Sequence, residues 1–163
     1  MKTLLLLRHA KSSWDDPGLD DHDRPLNKRG RRDAPRMGRL LRDEKLLPDV
    51  VLCSTAERAR ETAAATSEAS GFSGETRFLQ GLYLASPADI LAALRAIEAE
   101  VRTAMVVGHN PGIEELLAVL TGAVEPLPTG ALARIALPVK SWKDLGPGVR
   151  GKLVRLWRPK DLE

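Results

Sequence analysis

Two of the three histidines in this 163-residue chain stand directly behind aliphatic runs. His9 follows Leu4-Leu5-Leu6-Leu7-Arg8, and His109 follows Met105-Val106-Val107-Gly108. A third polar cluster, Ser54-Thr55-Ala56-Glu57-Arg58, follows Val50-Val51-Leu52-Cys53. Imidazole is a good nucleophile near neutral pH, and its phosphoryl adduct is labile enough to hydrolyse. Guanidinium forks match phosphate oxygens bidentately, and helix N-termini add backbone donors. Histidines joined by Arg8 and Arg58 therefore suit a phosphoryl group, with catalysis by positioning and charge stabilisation. Taken singly, each residue has a plainer reading: a histidine closing a strand, or a surface arginine in a first helical turn. The weight lies in the coincidence of all of them at three strand ends.

That coincidence matters only if the elements bring those ends together. Thr3–Leu7, Asp49–Cys53 and Ala104–Gly108 read as strands buried on both faces. Asp15–Leu26, with its Pro, Gly and Asp content, reads as a loop. Asn27 can cap a helix through about Lys45, which Pro35 would kink or delay. Ser54-Thr55-Ala56-Glu57 has the form of a capping box opening a helix to about Ser70. Arg77–Leu79 reads as a short strand, and Pro87–Val101 as an amphipathic helix. Asn110 with Pro111 behind it predicts a capped helix to Thr121. Ala131–Pro138 and Lys152–Arg158 read as strands joined by a turn-rich linker, Ser141–Gly151, free to pair as an antiparallel edge. The alternation predicts one domain over residues 1–163: a three-layer α/β/α sandwich with a mostly parallel sheet and an antiparallel edge strand. In such sheets ligands bind beyond the carboxyl ends of the strands.

Composition bounds the function classes. With 43% hydrophobic and 29% charged residues, the chain has the make-up of an ordinary globular protein. A net charge of +3 favours phosphate-bearing ligands, but no recognition motif accompanies it, which argues against a nucleic-acid partner. The basic run Lys28, Arg29, Arg31, Arg32, Arg36 and Arg39 reads as a solvated helix face or a docking surface for an acidic partner. Cys53 stands alone in an apolar strand, the pattern of a core residue and not of a disulfide. The opening leucines are too few for a signal peptide, and no stretch approaches a membrane span. The expectation is a cytoplasmic protein without a membrane partner.

These motifs together resemble the histidine phosphatase superfamily, which is phosphoglycerate mutase-like in fold, and within it the small bacterial phosphohistidine phosphatases. Leu7-Arg8-His9-Ala10 matches the R-H-G signature with Ala for Gly. Arg24-Pro25-Leu26-Asn27-Lys28-Arg29-Gly30 resembles P-L-T-x-x-G, and Ser54 to Ala63 matches S-x-x-x-R-x-x-x-T-A. Val107-Gly108-His109-Asn110 matches the late G-H or S-H motif. The resemblance covers about residues 3–120 with the motifs in order. It implies that His9 is the nucleophile that becomes phosphorylated, that Arg8, Arg58 and His109 hold the phosphoryl oxygens, and that Arg24 is a further phosphate contact. It implies no cofactor and no metal.

The chain departs from the family's ester-cleaving members where they carry a glutamate as general acid. Here that region reads Leu79-Gln80-Gly81-Leu82-Tyr83. An alkoxide leaving group needs a positioned proton, whereas a phosphoramidate leaves as a nitrogen base that solvent can protonate. The expected function is thus a metal-independent phosphatase of phosphohistidine in proteins. A small phosphate ester such as a sugar phosphate, or a weakly catalytic phosphate-binding adaptor, are the alternatives. If an acid is required, Asp20-Asp21-His22-Asp23 is the obvious supply; that loop otherwise reads as solvated, and as no metal site.

Overall fold

The computed structural model describes residues 1–162. Six strands form one sheet: β1 (Lys2–Arg8), β2 (Val50–Ser54), β3 (Glu75–Leu79), β4 (Thr103–Gly108), β5 (Leu132–Leu137) and β6 (Lys152–Trp157), in the order β3-β2-β4-β1-β5-β6. The first four in that order run parallel, β5 lies antiparallel to β1, and β6 pairs antiparallel with β5. The two tail segments do meet as an antiparallel hairpin, and its first strand lies one position in from the edge.

Four helices cover the sheet: α1 (Lys28–Asp43), α2 (Glu57–Ser70), α3 (Pro87–Arg95) and α4 (Gly112–Thr121). The leucine run of β1 explains the layering. Alternate residues of a strand point to opposite faces. Leu5 and Leu7 join Met37 and Leu41 of α1 and Ala59 and Ala63 of α2 on one side. Leu4 and Leu6 join Leu91 and Leu94 of α3 and Leu116 and Leu120 of α4 on the other. All four leucines are fully buried. Cys53 is buried too, in the core beneath α1 and α2.

Several local expectations change. The Asn27 side chain accepts from Gly30 N at 2.9 Å and starts α1, which continues unbroken through Pro35. That cap sets the helix two turns upstream of the proline, so Pro35 neither delays nor ends it. The helix predicted over Pro87–Val101 stops at Arg95, with Ser86 capping Asp89 N. No capping box forms at Ser54: α2 starts at Glu57, and its cap position, Ala56, contributes no side-chain bond. Nor does Asn110 cap α4. The Asn110–Pro111 bond is cis, the helix begins at Gly112, and the Asn110 amide instead donates to Glu114 Oε1 and Leu127 O.

Sheet register brings the polar strand ends together. Arg8 pairs with Gly108, and Cys53 pairs with Val107. Strands β2, β4 and β1 are adjacent and end at one level, so Ser54, His109 and His9 emerge side by side.

Candidate active site

Beyond those three strand ends lies a cavity of about 210 Å³ lined by Arg8, His9, Arg24, Arg58 and His109, with Lys11, Ser12, Trp14, Leu84, Asn110 and Thr129 completing it. Its size is below the ~300–1,000 Å³ usual for sites that enclose whole organic ligands. It suits a phosphoryl group with the rest of the substrate outside. A larger cavity of about 400 Å³ adjoins it across Arg8 and Thr129, but that one contains neither histidine.

The His9 ring is fixed by a single bond. Its Nδ1 lies 2.8 Å from Ala10 O. A carbonyl oxygen only accepts, so Nδ1 carries the proton and Nε2 keeps its lone pair. Burial pushes the His9 pKa down to about 4, with Arg58, Arg8 and Arg24 adding to the shift against one opposing bond to Ala10. The imidazole is neutral through the physiological range, as a nucleophile must be. The backbone beneath it is held from both sides: His9 N donates to Gly108 O at 3.0 Å, and Ala10 N donates to Thr62 Oγ1 at 3.0 Å. Thr62 Oγ1 in turn donates to Arg58 O at 2.7 Å.

The His109 ring centroid is 5.1 Å from that of His9. Its Nε2 lies 2.7 Å from Ser54 Oγ, and that oxygen already accepts from Ala56 N. A hydroxyl oxygen accepts twice and donates once, so Ser54 Oγ holds His109 Nε2 in place in either tautomer of the ring. The His109 Nδ1 is buried and has no protein partner. Burial, then His9 and Arg58, lower the His109 pKa to about 3, so this ring too is neutral. The serine that resembles a helix cap in the sequence is instead the residue that orients a site histidine.

The arginines differ in how free they are. Arg8 donates Nη1 to Leu127 O at 3.0 Å, while its Nε is buried without a partner. Arg58 is 3% exposed and bonds Asp21 twice, through Nη1 to the backbone oxygen and Nη2 to Oδ2. Arg24 also lines the cavity, but each of its nitrogens already donates within the protein: to Ser13 O, Asp21 Oδ1 and Ser12 Oγ. Of the five residues singled out from sequence, all reach the cavity, and Arg24 reaches it as the most committed of them.

Asp21 is a hub that no sequence motif marks. Its carboxylate receives Tyr83 Oη at 2.5 Å as well as Arg24 and Arg58. The Tyr83 bond first, and then bonds from Arg24 and Arg58, outweigh the opposing effect of burial and hold this carboxyl far below the ordinary range. A group so firmly ionised is no proton donor at neutral pH. The Tyr83 ring stands edge-on to both His109, at 5.5 Å, and His22, at 4.8 Å. Where an acid would stand after β3, Gln80 Oε1 accepts from Thr55 Oγ1. Among the described residues, the cavity lining contains no carboxylate.

Comparison with known proteins identifies the family and the fold. The profile of the histidine phosphatase superfamily (branch 1) matches residues 4–82. An uncharacterised protein of Mycobacterium tuberculosis is 39% identical over 153 residues, covering 87% of this chain and 93% of its own length. The structure provisionally named phosphohistidine phosphatase SixA of Nakamurella multipartitia is 33% identical, with a TM-score of 0.85 over 97% of this chain and 96% of that one. A protein of the same provisional name from Agrobacterium tumefaciens is 31% identical, with a TM-score of 0.84 over 97% and 98%.

Proposed function

The chain belongs to the histidine phosphatase superfamily, and from that premise we propose that it hydrolyses protein phosphohistidine through a phosphorylated His9. The observation that carries this reading is the state of His9: Nδ1 tied to Ala10 O, Nε2 unprotonated, and Arg8, Arg58 and His109 around the same small cavity.

The chemistry takes two displacements. His9 Nε2 gives its lone pair to phosphorus as the P–N bond to the substrate imidazole breaks. The departing nitrogen keeps that electron pair, and leaves as neutral imidazole if the substrate ring was protonated. Water then forms a P–O bond as the His9 Nε2–P bond breaks, releasing inorganic phosphate and a proton and restoring neutral His9. Arg8, Arg58 and His109 hold the phosphoryl oxygens through both steps, where charge-assisted donors are strongest. Arg58 meets Asp21 with two of its five N–H groups, which leaves the others for the phosphoryl oxygens.

Two observations support a phosphoramidate over an ester. No carboxylate lines the cavity, and the nearby Asp21 is held ionised. An alkoxide would leave unassisted, whereas imidazole needs no positioned acid. The test is a substrate panel comparing kcat/KM for a phosphohistidine peptide with that for sugar phosphates. Preference for the peptide is expected; a strong preference for an ester would replace this reading with that of a small-ester phosphatase. Binding of vanadate without turnover of any phosphoryl compound would favour an adaptor.

Ser54 supplies a sharper check on the site. Ser54→Ala removes the hydrogen-bond partner of His109 Nε2, and kcat/KM is expected to fall by about 10- to 100-fold, as for loss of a buried hydrogen bond. Nitrogen NMR of His109 should then show a changed balance between the two ring tautomers. Ser54→Thr keeps the hydroxyl and should recover most of both. Unchanged tautomer and rate in Ser54→Ala would show that Ser54 has no hold on His109.

A further inference from the structure

Trp14 stands at the mouth of the catalytic cavity with 72% of its surface exposed, unusual for so large an apolar side chain. It is nevertheless fixed in place. The Arg24 guanidinium carbon lies 3.2 Å from the centre of the indole. Arg24 is itself 7% exposed and bonded to Ser13 O, Asp21 and Ser12. One face of the ring is thus clamped on a rigid cation, and the other is open at the rim. Leu84 reaches the same cavity from the segment before α3, 57% exposed and with φ of 49°. A branched residue adopts that left-handed backbone only at a cost, and such strain tends to be kept at functional sites. The small polar cavity therefore opens through an apolar, partly aromatic rim.

We propose that the open face of Trp14 is the seat of the leaving group, against which the imidazole ring of phosphohistidine stacks while its phosphoryl group occupies the cavity. The inference rests on the phosphohistidine reading and deepens it by naming what recognises the ring. A planar heterocycle matches an immobilised indole face, and stacking orders little that is not already ordered. Such a platform also explains how a cavity of about 210 Å³ can select its substrate: the phosphoryl group fills it, and discrimination falls to the rim. Trp14 would then act on specificity by direct contact with the substrate.

The contrast that isolates the ring is phosphohistidine against phospholysine, since both carry a P–N bond and only one carries a heterocycle. The readout is the ratio of their kcat/KM values in wild type, Trp14→Ala and Trp14→Phe. Trp14→Ala should lower that ratio about tenfold, and Trp14→Phe should restore most of it. Exposure of the side chain makes loss of folding an unimportant route to either result. If Trp14 serves only to cover Arg24, both substrates suffer alike and the ratio is unchanged, which overturns the stacking. Failure of the wild type to cleave phosphohistidine would overturn the functional reading and the stacking with it. Turnover of phosphohistidine with a ratio indifferent to Trp14 would overturn the stacking alone.

Discussion

His9→Ala is expected to lower phosphohistidine turnover by about 10⁴-fold or more, the scale on which enzymes lose activity with their covalent nucleophile. The size reflects the absence of a substitute. His109 Nε2 is already held by Ser54, so the cavity has no second histidine with a free Nε2 to take the place of His9. Rapid-quench labelling should trap acid-labile, alkali-stable phosphate on wild type and none on His9→Ala. His9→Gln, closer in volume to the imidazole, guards against a loss caused by collapse of the pocket and should be equally inactive. Label surviving on either variant would place the covalent step on another residue. Equal activity of the variants and wild type would remove His9 as the nucleophile.

Gly30→Ala is expected to cost about 3 kcal/mol of stability, at the upper end of ordinary overpacking. A Cβ at position 30 would lie 2.1 Å from Lys11 O and 3.0 Å from Lys11 N. The obstacle is backbone, which has no rotamer through which to escape, and it is the backbone two residues beyond His9. The gain in helix propensity from Ala, about 1 kcal/mol, offsets only part of this. A fall in Tm of about 6–12 °C should result, using the usual scaling for a chain of this size. Activity should fall further than stability explains, because the displaced segment carries the His9–Ala10 turn. Gly146→Ala is the control, since nothing lies within 4 Å of its Cβ position and no change in Tm is expected. An unshifted Tm in Gly30→Ala would show that the first helix and the loop after β1 can separate freely.

The same contact gives the glycine of the Pro25-Leu26-Asn27-Lys28-Arg29-Gly30 segment its physical meaning. Its place in a motif is visible in the sequence, but the reason is a partner nineteen positions upstream. Thr62 behaves likewise. It is legible as part of a motif, while its role as acceptor for Ala10 N and donor to Arg58 O joins two strand ends that are distant in the chain. Ser54 shows the opposite case, a local signal that misleads. Ser-x-x-Glu is a sound helix-start pattern, yet the hydroxyl lies beside His109 and the helix opens without it. Asn110 misleads too: its amide nitrogen is held by Glu114 Oε1 and Leu127 O, and its oxygen, the capping atom, meets no helix N–H.

Local pattern by itself determined a great deal about this protein. The aliphatic runs place the central strands, because short apolar runs bounded by polar residues suit strands covered on both faces. The polar residues that follow each run place Arg8, His9, Arg58 and His109 at the carboxyl edge of the sheet. Tertiary structure alone decided the order β2-β4-β1 and the register that pairs Arg8 with Gly108, and with them whether those residues meet. It also decided protonation and freedom: which nitrogen of His9 carries the proton, that Asp21 is locked between Tyr83, Arg24 and Arg58, and that Trp14 keeps one face open. Periodicity and capping act over a few residues and can be read along the chain. Tautomers, ion pairs and desolvation depend on groups that folding brings within about 3 Å from positions far apart, and no local pattern encodes those distances.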